Sequence, residues 1–187
     1  MSSEAESLRA VLEAVRGLRT GAPVVLIDGP AGAGKSTLAD ELVNRWPLSV
    51  EPTLVHMDDI YPGWAGLAAG SRLVTGDLLE PRLAGTAAGW RRHDWVLNGP
   101  AEWHQVDPSH PLIVEGCGAM SAANTELADL CVWVDADDVV RKARALARDR
   151  GGFDPFWDMW QEQFDDFVSR EKPVSRADLI LDGTALR

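Results

Sequence analysis

The sequence has 187 residues, 45% of them hydrophobic and 25% charged, the size and balance of one globular domain rather than a fibre, a rod or a disordered chain. The 29 acidic and 18 basic side chains leave a net charge of −11, a field that repels polyanions and argues against nucleic acid as a partner. No apolar run reaches membrane-spanning length, and residues 1–19 lack the continuous apolar stretch of a secretory leader, so no membrane partner is expected and the compartment expected is cytoplasmic.

In chain order, the first expected element is a helix within residues 1–21. Ser3 and Glu6 have capping-box spacing, and Leu8, Val11, Leu12, Val15 and Leu18 recur at helical intervals until Gly21. Five short apolar runs follow, at 24–27, 53–57, 112–114, 130–134 and 179–181. Several lack polar alternation, as expected of strands covered on both faces of a parallel sheet. Helical stretches at 35–45, 138–150 and 155–170 lie between them, the first ended by Trp46-Pro47 and the second by Gly151-Gly152. Strands alternating with helices predict an α/β domain over 1–187, a five-stranded parallel sheet with helices on both faces.

Residues 62–111 form a connection far longer than usual, rich in Gly, Pro and Trp, and are expected to be a structured insertion covering a substrate site. Leu67, Val74, Leu78 and Leu83 recur at loosely helical intervals. Trp95 and Leu97, then Asn98-Gly99, then Trp103 suggest a hairpin turning at Asn-Gly. Cys117 and Cys131 lie in apolar, strand-like contexts and read as buried, reduced thiols.

Gly29-Pro30-Ala31-Gly32-Ala33-Gly34-Lys35-Ser36 is a complete G-x-x-x-x-G-K-[ST] signature between an expected strand and an expected helix. Such a loop curls around a phosphate with its N–H groups inward, and the helix N-terminus adds partial positive charge. Cofactor contacts are therefore assigned to Gly29, Ala31, Gly32, Ala33, Gly34, Lys35, Ser36 and Thr37, with Lys35 on the terminal phosphates and Ser36 on Mg²⁺. No guanine-reading N-K-x-D or T-K-x-D segment is present, which argues against a GTPase.

The second strand runs into Asp58-Asp59-Ile60-Tyr61 and the third into Glu115-Gly116, so both carboxylate sets emerge at the C-terminal edge of the sheet beside the phosphate loop. A carboxylate beside a phosphate needs a cation between them, so Asp58 and Glu115 fit as Mg²⁺ partners or as the base for a substrate hydroxyl. Arg141, Arg144 and Arg148 share one helical face within 137–152. That stripe reads either as a solvated charge run or as a lid over a transferring phosphoryl group.

These segments together resemble the uridine kinase and phosphoribulokinase-like P-loop kinases over residues 22–182. Beyond the phosphate loop, Asp58-Asp59-Ile60-Tyr61 is similar to the family's D-x-F-Y, Val114-Glu115-Gly116 to its v-E-G, and 141–151 to its R-x-x-R-x-x-x-R-D lid. Pro173 and Ala177-Asp178-Leu179-Ile180 are similar to its closing P and A-D-x-I. The resemblance implies ATP and Mg²⁺ as cofactors, Asp58 as base, and Ser36, Asp58 and Glu115 around the metal directly or through water. It also implies Arg148 and Arg144 on the phosphates and Tyr61 in the acceptor site. The family's H-s-R segment, which contacts the nucleoside, is missing: the corresponding positions read Asp94-Trp95-Val96-Leu97-Asn98-Gly99-Pro100. Arg91, Arg92 and His93 either replace it from a shifted backbone or form a solvated rim.

Trp64, Trp90, Trp95 and Trp103 place half of the eight tryptophans in the insertion, either as its small core or as stacking surface, with Trp64 the first candidate for a ligand contact. Trp157, Trp160, Phe164 and Phe167 have helical spacing and read as packing. The substrate residues expected are Asp58, Tyr61, Trp64, Arg92, Trp95 and Glu115. The function expected is phosphoryl transfer from Mg-ATP to a hydroxyl of a small molecule, a nucleoside first, another small metabolite such as a sugar or vitamin precursor second. A catalytically lapsed ATP-binding module is the reading from a different class, and a homo-oligomer is left open.

Overall fold

The computed structural model describes residues 4–185. The capping residue expected at Ser3 lies outside them. In chain order the elements are α1 (Glu4–Gly17), β1 (Val24–Asp28), α2 (Lys35–Asn44), β2 (Thr53–His56), α3 (Leu67–Leu73), α4 (Glu80–Leu83), β3 (Ala88–Asp94), β4 (Gly99–Val106), β5 (Leu112–Glu115), α5 (Ala122–Thr125), β6 (Leu130–Asp135), α6 (Asp138–Arg148), α7 (Trp157–Glu171) and β7 (Leu179–Asp182).

The five expected strands form one parallel sheet in the order β2-β5-β1-β6-β7. All five residues of β1 and all four of β5 are buried, so these runs need no polar alternation. Alternate residues then serve opposite faces. Val25 and Ile27 point to the side covered by α1 and α2, where Leu8, Val11, Val15, Leu38 and Leu42 complete the core. Val24 and Leu26 point to the other side, where Trp157, Trp160, Phe164 and Phe167 of α7 pack with Trp133 of β6. Phe167 is 1% exposed, and burial of that kind contributes roughly 1.5–3 kcal/mol. From β1 the chain crosses to β2 on one side, whereas after β5 it passes to β6 on the other. The switch of direction opens a crevice at the carboxyl ends of β1 and β5.

The insertion divides in two. Residues 67–83 form one nearly continuous helix whose middle, Val74–Leu79, widens into a π turn. Buried Asn124 donates to Ser71 O at 3.3 Å, and Thr75 Oγ1 reaches both Ser71 O (3.3 Å) and Asn124 Oδ1 (2.5 Å). These side chains compete with the helical backbone for the same groups, a recognised cause of such widening. β3 and β4 then form a separate antiparallel hairpin, but not with the two-residue Asn-Gly turn expected. Asp94 pairs with Gly99, so residues 95–98 form a four-residue turn, and Trp95 and Leu97 belong to that turn rather than to the first strand. The reason is local: Asp94 Oδ1 accepts from Val96 N and Leu97 N, both at 2.9 Å, and nucleates the turn earlier in the chain. Asn98 still takes the left-handed conformation that its type favours, at φ +48°.

One buried group organises the crevice and escapes sequence reading. Asp28, the last residue of β1, is fully buried and accepts from Gly29 N (2.7 Å), Gly118 N (3.0 Å) and Met120 N (2.8 Å), tying the phosphate loop to the segment after β5. Burial pushes its carboxyl up to about 6 from an ordinary 3.8, against the pull of those three N–H groups and Lys35. Between these two values the folded chain holds a proton that the unfolded chain has released, so the stability associated with protonated Asp28 is full below about pH 4 and falls as pH rises. The expected loss between pH 4 and 6.5 is about 2 kcal/mol, with little further change above. Urea unfolding of the natural chain and of Asp28→Asn across that range should show this difference in slope. Parallel curves would mean that the carboxyl is not raised.

Candidate active site

The phosphate loop is wedged between the end of β6 and the start of α6. A Cβ on Gly29, at φ +147°, would lie 2.0 Å from Val134 O, and one on Gly32, at φ +80°, 2.0 Å from Arg141 O, so neither position accepts a side chain. Gly29 N–H is spent on Asp28, and Ala33 N–H on Pro30 O at 3.2 Å. Ala31, Gly32, Gly34, Lys35, Ser36 and Thr37 line the open clefts; Gly29 and Ala33 do not. Lys35 is 6% exposed, donates to Pro30 O at 2.9 Å and lies 3.6 Å from Cys117 Sγ. Both cysteines are free and buried, as expected, but Cys117 faces the phosphate site and follows β5 rather than lying within it.

Two clefts meet at this loop. The first, about 400 Å³, runs from Lys35 and Ser36 past Asp58 and Glu115 into a chamber walled by Tyr61, Trp64, Trp95, Phe153 and Trp160. The second, about 530 Å³, lies on the α6 side and includes Thr37, Arg144 and Arg148. Glu115 ends β5 opposite His56, which ends β2. Ser36 Oγ donates to Glu115 Oε1 at 3.0 Å, and His56 Nδ1 lies 2.6 Å from the same oxygen. That hydrogen bond is the main reason His56 holds its proton above the ordinary histidine range.

Asp58 stands on a 3₁₀ turn (Met57–Asp59) directly after β2. Two thirds of its side chain stays accessible, so it faces the open cleft, yet the surrounding protein still raises its carboxyl above the usual range, with Arg148 opposing the rise. Arg148 Nη2 is 3.8 Å from Asp58 Oδ2, and its Nε is 3.2 Å from Asp149 Oδ1. Trp95, from the hairpin turn, donates Nε1–H to Asp58 O at 2.8 Å and packs against Trp64.

The other expected site residues separate clearly. Tyr61 lines the first cleft but is 1% exposed, with its hydroxyl donated to Cys117 O at 2.6 Å; burial keeps that phenol protonated well above its ordinary range. Trp64 reaches the cleft, but Phe156 stacks on it at 4.5 Å and 9°, so one ring face is covered by protein. Arg92 does not line either cleft. It forms a two-pronged pair with Glu102 at 2.6 and 3.1 Å. His93 is buried on the same strand, against the edge of Trp95. The arginine stripe also divides. Arg141 turns inward to Asp138 (2.7 Å) and Gln161 (3.0 Å) with its guanidinium over Trp157. Arg144 donates to Gly183 O and Thr184 O at 2.9 and 2.6 Å. Arg148 alone of the three lines both clefts.

Among the described residues, no three His, Cys, Asp or Glu side chains cluster tightly enough to chelate a metal by themselves. The oxygen set of Ser36, Glu115 and Asp58 nevertheless suits Mg²⁺, a hard ion that keeps several waters and needs few protein ligands, and Ser36 and Glu115 already converge. Cys117, Phe153 and Arg148's partner Asp149 line the first cleft without having been assigned to it from the sequence, and Asp28 lies behind the loop, bonded to Gly29 N. Asp28 carried one signal, its place immediately before the phosphate loop.

No protein-family model matches the sequence. The solved structure of a possible uridine kinase from Bacillus stearothermophilus superposes with a TM-score of 0.68 over 95% of this chain and 98% of that one, at 18% identity. The two chains share one fold. A candidate fructose transport system kinase from a Silicibacter species shares this fold with a TM-score of 0.56 over 96% and 99% of the two chains, at 19% identity. A curated protein, the fused isobutyryl-CoA mutase of Geobacillus kaustophilus, is 29% identical over 140 residues, which is 70% of this chain. The chain spans only 13% of that protein's length. Within this fold the two clefts meet at the loop where α2 begins, and no helix among the described residues is long and apolar enough to cross a membrane.

Proposed function

We propose that this protein transfers the γ-phosphoryl group of Mg-ATP to a hydroxyl of a small molecule, with a nucleoside the leading acceptor. The observation that carries this reading is the convergence of Lys35, Ser36, Glu115 and Asp58 on a cleft that continues into an aromatic chamber. ATP would occupy the phosphate loop and the α6 side, and the acceptor would occupy the chamber. Ser36, Glu115 and Asp58 would hold Mg²⁺, directly or through water, and the ion would neutralise phosphate charge. Lys35 binds the terminal phosphates, and Arg148 offsets the charge that develops on the transferred group. Asp58 accepts the proton of the acceptor hydroxyl as its oxygen bonds to phosphorus and the bond to the ADP oxygen breaks. The covered chamber keeps water from competing for the phosphoryl group.

The test is ADP release in the presence of nucleosides, sugars and pantothenate-like alcohols, with the phosphorylated product identified. Acceptor-dependent ADP formation is the expected outcome. Tight ATP binding with no stimulation by any alcohol would instead support the second reading, an ATP-binding module. Two observations favour that alternative: the hairpin turn lacks the base-contacting His and Arg of the resemblance, and the curated likeness is to a small segment of a much larger fused protein.

A further inference from the structure

Asp28 stands behind the phosphate loop. It is fully buried and lines neither cleft, yet it is bonded to the first N–H of that loop. Its Oδ1 accepts from Gly29 N at 2.7 Å and Gly118 N at 3.0 Å, and its Oδ2 accepts from Met120 N at 2.8 Å. A carboxylate offers about four acceptor positions, so three are filled and the fourth is on Oδ2. The titratable groups that act on it by charge come from four parts of the fold: Lys35 at the start of α2, Tyr61 after β2, Cys117 after β5 and Cys131 in β6. Burial holds the phenol and both thiols protonated, which leaves Lys35 as the cation of this set.

Gly29 N–H and Lys35 are also groups that a phosphate in the loop attracts. A bound polyphosphate and an ionised Asp28 therefore compete for the same donors from opposite sides of one loop. Their like charges also repel through protein rather than through water. A proton on Asp28 Oδ2 removes both penalties. At an effective dielectric constant of about 20, one net negative charge about 10 Å away raises the proton affinity of a carboxyl roughly tenfold.

We infer that the phosphate loop is coupled to a proton through Asp28: a polyphosphate entering the loop draws a proton from solvent onto Asp28 Oδ2, and the loop binds most tightly when that carboxyl is neutral. The inference rests on the nucleotide-binding part of the proposed function and adds its control by pH. It needs no phosphoryl transfer. Coupling is reciprocal, so the sign is fixed. The contribution to binding is full below the free chain's value of about 6 and is lost as pH rises through a bound value about one unit higher. Asp28 is thus a positioning residue that acts on the ligand through Gly29 and Lys35.

The test is calorimetric titration of the full chain with ATP and, in parallel, with pyrophosphate, between pH 5.5 and 8 in buffers of different ionisation enthalpy. The natural chain is compared with Asp28→Asn, which is neutral throughout. Near pH 6.5 the natural chain is expected to take up about half a proton more per ligand than the variant. From pH 5.5 to 8 its affinity should fall about fivefold or more relative to the variant. Subtraction removes the titration of the phosphates themselves, and a merely structural defect would weaken binding by the same factor at every pH. Equal proton counts with parallel affinity profiles would overturn the inference. If the variant does not fold, carboxyl ¹³C NMR of the natural chain decides: the Asp28 resonance should titrate at higher pH with ATP bound than without, and an unchanged midpoint would overturn the inference. Extra proton uptake on ATP binding, with no ADP release for any acceptor, would remove the phosphotransfer reading and leave this inference standing. Acceptor-dependent ADP release with equal proton counts would do the opposite.

Discussion

Asp58→Asn should lower acceptor-dependent ADP release by about a hundredfold or more, the usual loss when a positioned general base is removed. Asparagine keeps the size of the side chain, and the hydrogen bond from Trp95 goes to the backbone oxygen of Asp58, so the turn at Met57–Asp59 should persist. What disappears is the proton-accepting oxygen in the open cleft and the charge facing Arg148 at 3.8 Å. Under the proposed function Asp58 would also belong to the oxygen set for Mg²⁺, and the two roles give different signatures. If the residue serves mainly the metal, raising Mg²⁺ should recover most of the rate. If it is the base, turnover should stay low at saturating Mg²⁺ while ATP affinity remains within about threefold of the natural chain. Turnover within about threefold of the natural rate with the true acceptor would remove Asp58 as the base.

The parts of the fold that were legible in the sequence are those in which one local rule dominates. The strands of the main sheet announced themselves because burial on both faces leaves no polar alternation, and β1 and β5 are buried at every position. The phosphate loop was legible from its signature spacing, and at Gly29 of that signature and Gly32 beside it backbone oxygens of Val134 and Arg141 leave no room for a Cβ. The rest depends on contacts between distant segments. Asp28 looks like an ordinary strand-ending acid until Gly118 and Met120, some ninety residues later, bring their N–H groups to it. Arg141 and Arg148 share a helical stripe, yet α7 supplies Gln161 and Trp157 to draw the first inward, while the β2 side leaves the second facing Asp58. Spacing along a helix gives direction, and the partner across the gap decides use.

The aromatic chamber is the clearest instance. Trp160 has the spacing of a core residue on α7 and is 6% exposed, but it also lines the cleft, because Tyr61 and Trp64 pack against it from the other side. Core and cleft wall are here the same layer of rings, so composition alone could not assign those side chains to one or the other.

Arg148→Ala should slow turnover by about a hundredfold while changing ATP affinity by about threefold or less. In the resting site the guanidinium is half-exposed and shared between Asp58 and Asp149, at 3.8 and 3.2 Å. Exposed pairs of this kind contribute only about 0–1 kcal/mol, so removing one should barely disturb the fold. Arg148 lines both clefts, and under the proposed transfer its charge would be worth most when negative charge spreads over the transferred oxygens. Steady-state rates paired with direct measurement of ATP binding separate the possibilities. A loss of ATP affinity with turnover per bound ATP unchanged would make Arg148 a plain binding residue. An unchanged rate would place the developing charge on Lys35 and the metal alone.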